Sequence, residues 1–217
     1  TWGTWWSAFW FLIYGNIYCF ANPLWHETGH KTAFKSKFLN EFFYYISSYL
    51  ANFEPTRWRY THFLHHGNTY STENPFDYEI EYGNNLKETP KNLIINLIPF
   101  MELVFFKKSI AYEIILHALG IKTKVMQNGI PENKQAKAIF YSRVYVAIWL
   151  AIILWSILST SWLPVLLFLL PKYYGRTLHK LVSFTQHAGL ARNIKDHRLT
   201  TREMYLNPIL SFLYWKM

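Results

Sequence analysis

The chain has 217 residues, 51% of them hydrophobic and 20% aromatic, with a formal net charge of +9. That length suits one domain, and a single cysteine, Cys19, excludes an internal disulfide or a thiolate-built zinc or iron–sulfur site. The aromatic load fits membrane interfaces, where Trp and Tyr collect. Because the basic residues lie beside apolar runs and no base-reading motif is visible, anionic lipid is the expected partner and nucleic acid is not.

Trp2 to Ala21 carries no charged residue. About 20 apolar residues cross a bilayer core, so a transmembrane helix is expected here, ending at Asn22-Pro23. Trp25-His26-Glu27-Thr28-Gly29-His30-Lys31 follows. On a helix, His26 and His30 stand one turn apart on one face. Phe38 to Phe53 is apolar and aromatic but interrupted by Asn40, Glu41 and Ser47-Ser48. It reads as a re-entrant or interfacial helix stopped by Glu54-Pro55. Trp58 to Thr69 then carries His62, His65 and His66 at i, i+3, i+4, which gathers three rings on one stripe. Arg57 and Arg59 suit pairing with Glu54, contact with lipid phosphate, or plain solvation.

Gly67 to Pro90 is polar, turn-rich and acidic through Glu73, Asp77, Glu79, Glu81 and Glu88. Carboxylates spaced this loosely form a solvated loop more often than a metal site. Leu93 to Phe106 reads as an interfacial helix. Ile110 to Leu119 reads as an amphipathic helix capped by Gly120, with His117 structural, and Asn128-Gly129-Ile130-Pro131 as a turn. Val144 to Ser159, a Thr160-Ser161 break and Trp162 to Leu170 read as a transmembrane hairpin. Its second arm is expected to run on through Pro171 toward Val182, with Lys172, Arg176, His179 and Lys180 in its inner half. Charge inside a span faces a cavity or an interface. Ser183 to Gly189 ends that arm, and Ile209 to Trp215 is apolar again.

The hairpin tip, Ser159 to Leu163, has no basic residue, whereas Ala21 to Arg143 and the tail after Pro171 hold all of them. By the positive-inside rule both basic regions face the cytoplasm. The expected fold is therefore an all-α integral membrane protein, multi-pass, with transmembrane and interfacial helices. His26, His30, His62, His65, His66 and His187 can then meet on its cytoplasmic side. Imidazole suits iron, copper, zinc or nickel and is a poor choice for magnesium or calcium.

His26-Glu-Thr-Gly-His30, His62-Phe-Leu-His65-His66, and Gln186-His187-Ala188-Gly189 with Asp196-His197-Arg198 downstream resemble the membrane fatty acid desaturase superfamily, above all its bacterial members. The resemblance covers nearly the whole chain as a single domain, 1–217. It implies a histidine-box di-iron oxidoreductase that uses O2 and two electrons to desaturate or hydroxylate a fatty acyl chain. The implied iron ligands are His26, His30, His62, His65, His66 and His187. The implied electron donor is a ferredoxin, rubredoxin or cytochrome. Such enzymes carry a third box, HxxHH, toward the C-terminus. The chain stops at Met217 before one, so a longer gene product, extended at the N-terminus as well, is expected. Where some animal members place an asparagine one turn before the lone histidine, this chain has Ser183. Glu27, Glu54 and Asp196 are candidates for holding the outer nitrogens of the ligand rings.

A rival reading takes His26-Glu27-Thr28-Gly29-His30 as H-E-x-x-H, the zinc metalloprotease signature, with Glu27 as general base. It leaves His62, His65, His66 and His187 without a role.

Overall fold

The computed structural model describes residues 3–73, 75–79 and 97–214, apart from the side chain of His197. Glu81 and Glu88 of the acidic loop, the start of the expected interfacial helix at Leu93, and Trp2 and Trp215 lie outside the described residues. All regular structure among the described residues is helical.

Helix α1 (Trp5–Cys19) and α2 (Ala21–His30) meet at Phe20. The expected span Trp2 to Ala21 is thus a helix of 15 residues. It is about 22 Å long, short of the ~30 Å hydrocarbon core. Lys31, in the left-handed region at φ 63°, closes α2. Helix α3 (Lys37–Ala51) starts where the Ser36 hydroxyl accepts the Leu39 N–H, and ends at Asn52, also left-handed at φ 63°. It packs along α2. Asn52, not Glu54-Pro55, is therefore the stop.

Glu54 instead opens α4 (Pro55–Gly67). Its carboxylate accepts the N–H groups of Thr56 and Arg57 at 2.9 and 2.5 Å, and Pro55 sits in the first turn. A proline there removes an N–H that has no helical partner anyway. Arg57 and Arg59 pair elsewhere. Arg57 reaches Glu113 at 2.8 Å and Arg59 reaches Glu41 at 3.0 Å, which pins α4 to two neighbours. Beneath α4, the Phe53 and Trp58 rings stack at 4.0 Å, with Trp25 edge-on to both.

After the short α5 (Met101–Val104) and a 3-10 turn, α6 (Ile110–Ala118) ends at Gly120. His117 is fully buried against the Thr123 hydroxyl, a structural histidine as expected. Helix α7 (Lys124–Gly129) leads into α8 (Glu132–Leu158), which begins well before the expected Val144. Its 27 residues extend about 40 Å. Among the described residues it is the one helix long and apolar enough to cross a membrane. Its outer face exposes Leu150, Leu154, Trp155, Ile157 and Leu158.

Thr160, at φ 48°, turns the chain where the polar break predicts. The returning arm is not one helix. A π-helical turn over Val165–Leu169 precedes α9 (Pro171–Tyr174), and α10 (Thr177–His187) follows after Gly175-Arg176. Pro171 supplies no N–H and cannot continue a regular ladder. Arg176 forms an ion pair with Glu102. Short helices α11 (His197–Thr200) and α12 (Pro208–Leu213) complete the described chain.

Helix α1 crosses the returning arm at Gly15, against Tyr174 and Gly175. A Cβ on Gly15 would lie 2.5 Å from the Tyr174 ring and 2.7 Å from the Gly175 Cα. Small residues let helix backbones approach in this way. Gly15→Val should therefore destabilise the protein by about 1–3 kcal/mol through overpacking, read as a lower melting temperature in detergent. An unchanged melting temperature would contradict this crossing.

Candidate metal centre

The helix starts and stops just described put two histidine-bearing faces against each other. His26 and His30 project from α2, and His62 and His66 from α4, each pair one turn apart. One ring nitrogen from each of these four lies within 4.8 Å of the other three. Three of them are closer still. The Nε2 atoms of His30, His62 and His66 form a triangle with sides of 3.0, 3.1 and 3.1 Å. His65, on the next face of α4, turns toward His187 at the end of α10, with ring centroids 5.3 Å apart. His62 and His65 stack at 5.9 Å. The six expected residues thus come together as a group of four and an adjoining pair.

An imidazole offers a lone pair on one nitrogen only when the other carries the proton. The outer nitrogens here face groups that only accept. His26 Nδ1 donates to Glu27 at 3.0 Å, His62 Nδ1 to Glu79 at 3.0 Å, and His65 Nδ1 to Asp77 at 2.9 Å. His187 Nδ1 donates to the Thr200 carbonyl at 3.0 Å. In its neutral form, each of these rings carries its lone pair on Nε2. Carboxylate or carbonyl behind histidine is the pattern that fixes ring orientation and raises basicity in metal sites.

Of the acceptors expected from sequence, Glu27 holds a ring, whereas Glu54 caps α4 and Asp196 binds Arg198. Asp77 and Glu79 correct the reading of the acidic stretch as solvated. Asp77 is buried, and its second oxygen takes the Glu79 N–H while the first also takes the Tyr70 N–H. Their sequence signal is weak. Two carboxylates past an Asn-Pro turn do not reveal that the chain folds back under α4.

Burial and neighbouring imidazoles push His26 down to about 4 and His66 down to about 3. Burial lowers His30 and His187 as well. His65 moves the other way: burial opposes it, but the Asp77 hydrogen bond and the nearby carboxylates raise it. Four of the six rings, His26, His30, His66 and His187, are thus held toward the neutral form that binds a cation. The donor set is entirely imidazole nitrogen, which suits a first-row transition metal and not a hard oxygen-seeking ion. Glu27 leaves little for the rival protease reading. Its carboxylate is held by His26 and by the Thr32 hydroxyl at 2.6 Å.

His26, His62, His65, His66 and His187 line a cavity of about 690 Å³. Trp25, Phe53, Trp58 and Val182 supply apolar wall, while Asn52, Lys172 and Arg176 supply polar groups.

Asp77→Ala frees the His65 ring and should weaken metal binding by about 10–100-fold, measured by competition with a chelator. Unchanged affinity would mean that His65 is not a ligand. In the metal-free protein, His26 and His66 titrate below the ordinary 6.5 of an unfolded histidine. The unfolded chain then binds more protons, so stability falls as pH drops from about 6.5 toward 4. Thermal melting across that window should show the loss; a flat profile would contradict the buried neutral cluster.

A family model described as fatty acid desaturase matches residues 1–217. Comparison with curated proteins and with solved structures finds no match. Since the family match runs the length of the chain and the boxes converge as described, this chain belongs to the fatty acid desaturase family.

Proposed function

We propose that this protein is a multi-pass membrane oxidoreductase that desaturates or hydroxylates a fatty acyl chain with O2, using two iron ions bound by its histidines. The observation that carries the reading is the triangle of Nε2 atoms on His30, His62 and His66. Three imidazole nitrogens at that separation are held together by a cation or by shared protons between them.

In this reading His26, His30, His62 and His66 hold one iron, and His65 and His187 contribute to a second. Bound iron supplies the oxidant that an unactivated C–H bond needs and that side chains cannot provide. Desaturation removes two hydrogens from adjacent carbons; with two electrons and two protons from a donor, one O2 becomes two waters. Hydroxylation uses the same electrons and protons, and leaves one oxygen atom in the product and one in water.

The chain's own residues set the conditions. Glu27, Asp77 and Glu79 keep the outer ring protons in place. Trp25, Phe53 and Trp58 form an apolar wall beside the imidazoles, which favours an alkyl chain over water. The cavity has a volume usual for a single small ligand.

For the membrane, the exposed apolar face of α8 fits lipid. The positive-inside rule puts the histidines on the cytoplasmic side, where the donor (a ferredoxin, rubredoxin or cytochrome) would dock. The net charge of +9 suits an acidic donor.

The test is expression with an electron-donor system, followed by lipid mass spectrometry and iron analysis. New double bonds or hydroxyls should appear in acyl chains. They should vanish with His62→Ala, which should also lose iron while staying in the membrane fraction. Unchanged lipids in an iron-loaded preparation would refute the assignment.

A further inference from the structure

Lys172 lies in α9, midway along the broken return arm, and is 7% exposed. It lines the same cavity as the histidines. Its Nζ donates to Asn52 Oδ1 at 2.7 Å. The rings of Trp149, Tyr173 and Tyr49 surround it at 5.2, 5.5 and 5.9 Å. An ammonium has three N–H donors, and Asn52 takes one. No carboxylate among the described residues makes an ion pair with it. The other acids at the cavity are engaged: Glu102 with Arg176, Glu27 with His26 and Glu79 with His62. Two of the surrounding rings also carry buried donors without an acceptor among the described residues, Tyr49 Oη and Trp149 Nε1.

Held as an ammonium without a counter-charge, a buried amine is costly and is driven toward its neutral form, and aromatic faces and one amide offset only part of that cost. The surroundings lack one thing, an acceptor bearing negative charge. Asn52 is fixed for its part, because the left-handed backbone that ends α3 sets its position.

We propose that Lys172 is an anion subsite that takes the ionised carboxylate of a free fatty acid, so that the protein's substrate is an unesterified acyl chain. The proposal rests on the acyl-oxidising reading above and narrows it. A carboxylate is an acceptor without donors, and it neutralises the ammonium. An ester carbonyl accepts a hydrogen bond but leaves the charge uncompensated. With the carboxylate at Lys172, the alkyl chain extends along the apolar wall of Trp25, Phe53 and Trp58 toward the histidines. Chain length between the two ends then selects which carbon is oxidised.

The test uses the purified full chain in neutral detergent, with a fluorescent long-chain polyene fatty acid and its methyl ester as probes at neutral pH. Wild-type protein should bind the acid at least about tenfold more tightly than the ester. Lys172→Met should remove that preference by weakening the acid alone. Unchanged ester binding in the variant reports an intact cavity, and the wild-type comparison stands without any variant. Equal binding of acid and ester by wild-type protein, or an acid preference that survives Lys172→Met, would overturn the carboxylate subsite and leave the acyl reading standing. Binding of neither probe would overturn both.

Discussion

The site depends on hydrogen bonds that point away from it. Each imidazole has two nitrogens, and a ring can aim a lone pair inward only if its outer N–H is held. Glu27, Glu79, Asp77 and the Thr200 carbonyl hold four of the six rings. Asp77 is itself fixed by two backbone N–H groups. The geometry of the cluster is therefore set by the backbone at one remove. Gathering basic rings in a half-buried pocket would be unfavourable if they were charged, and the same burial that makes it unfavourable keeps most of them neutral.

Packing explains why α2 and α4 can serve as the two jaws. Neither is long. The contact between them is made by large flat rings: Trp25 against Phe53 and Trp58, with Tyr44 closing the group. Ion pairs from Arg57 and Arg59 carry α4 out to Glu113 and Glu41. Part of the aromatic content that the composition assigns to lipid interfaces is therefore spent in this internal wall. Trp5, Trp6, Trp10 and Trp162 remain exposed, as interface residues would be.

The boxes were legible because helical spacing is local: i, i+4 in one, and i, i+3, i+4 in the other, put the rings on common faces before any tertiary contact is known. The family resemblance rested on the same residues. The polar break at Thr160-Ser161 and the Gly120 stop are also local, and both appear where turn chemistry puts them. What escaped the sequence was long-range or two-valued. Glu54-Pro55 stops one helix and starts another by the same rules, and the left-handed Asn52 decides which. Asp77 and Glu79 look solvated until the chain folds under α4. The return arm opens on an apolar run, Trp162 to Leu170, yet Pro171 and Gly175 break it, and Lys172 lines the cavity from the break.

X-ray absorption at the iron edge of the purified, iron-loaded protein tests the centre most directly. The account predicts nitrogen and oxygen neighbours only, with the multiple scattering of several imidazoles. A sulfur shell, or a spectrum without imidazole scattering, would contradict it.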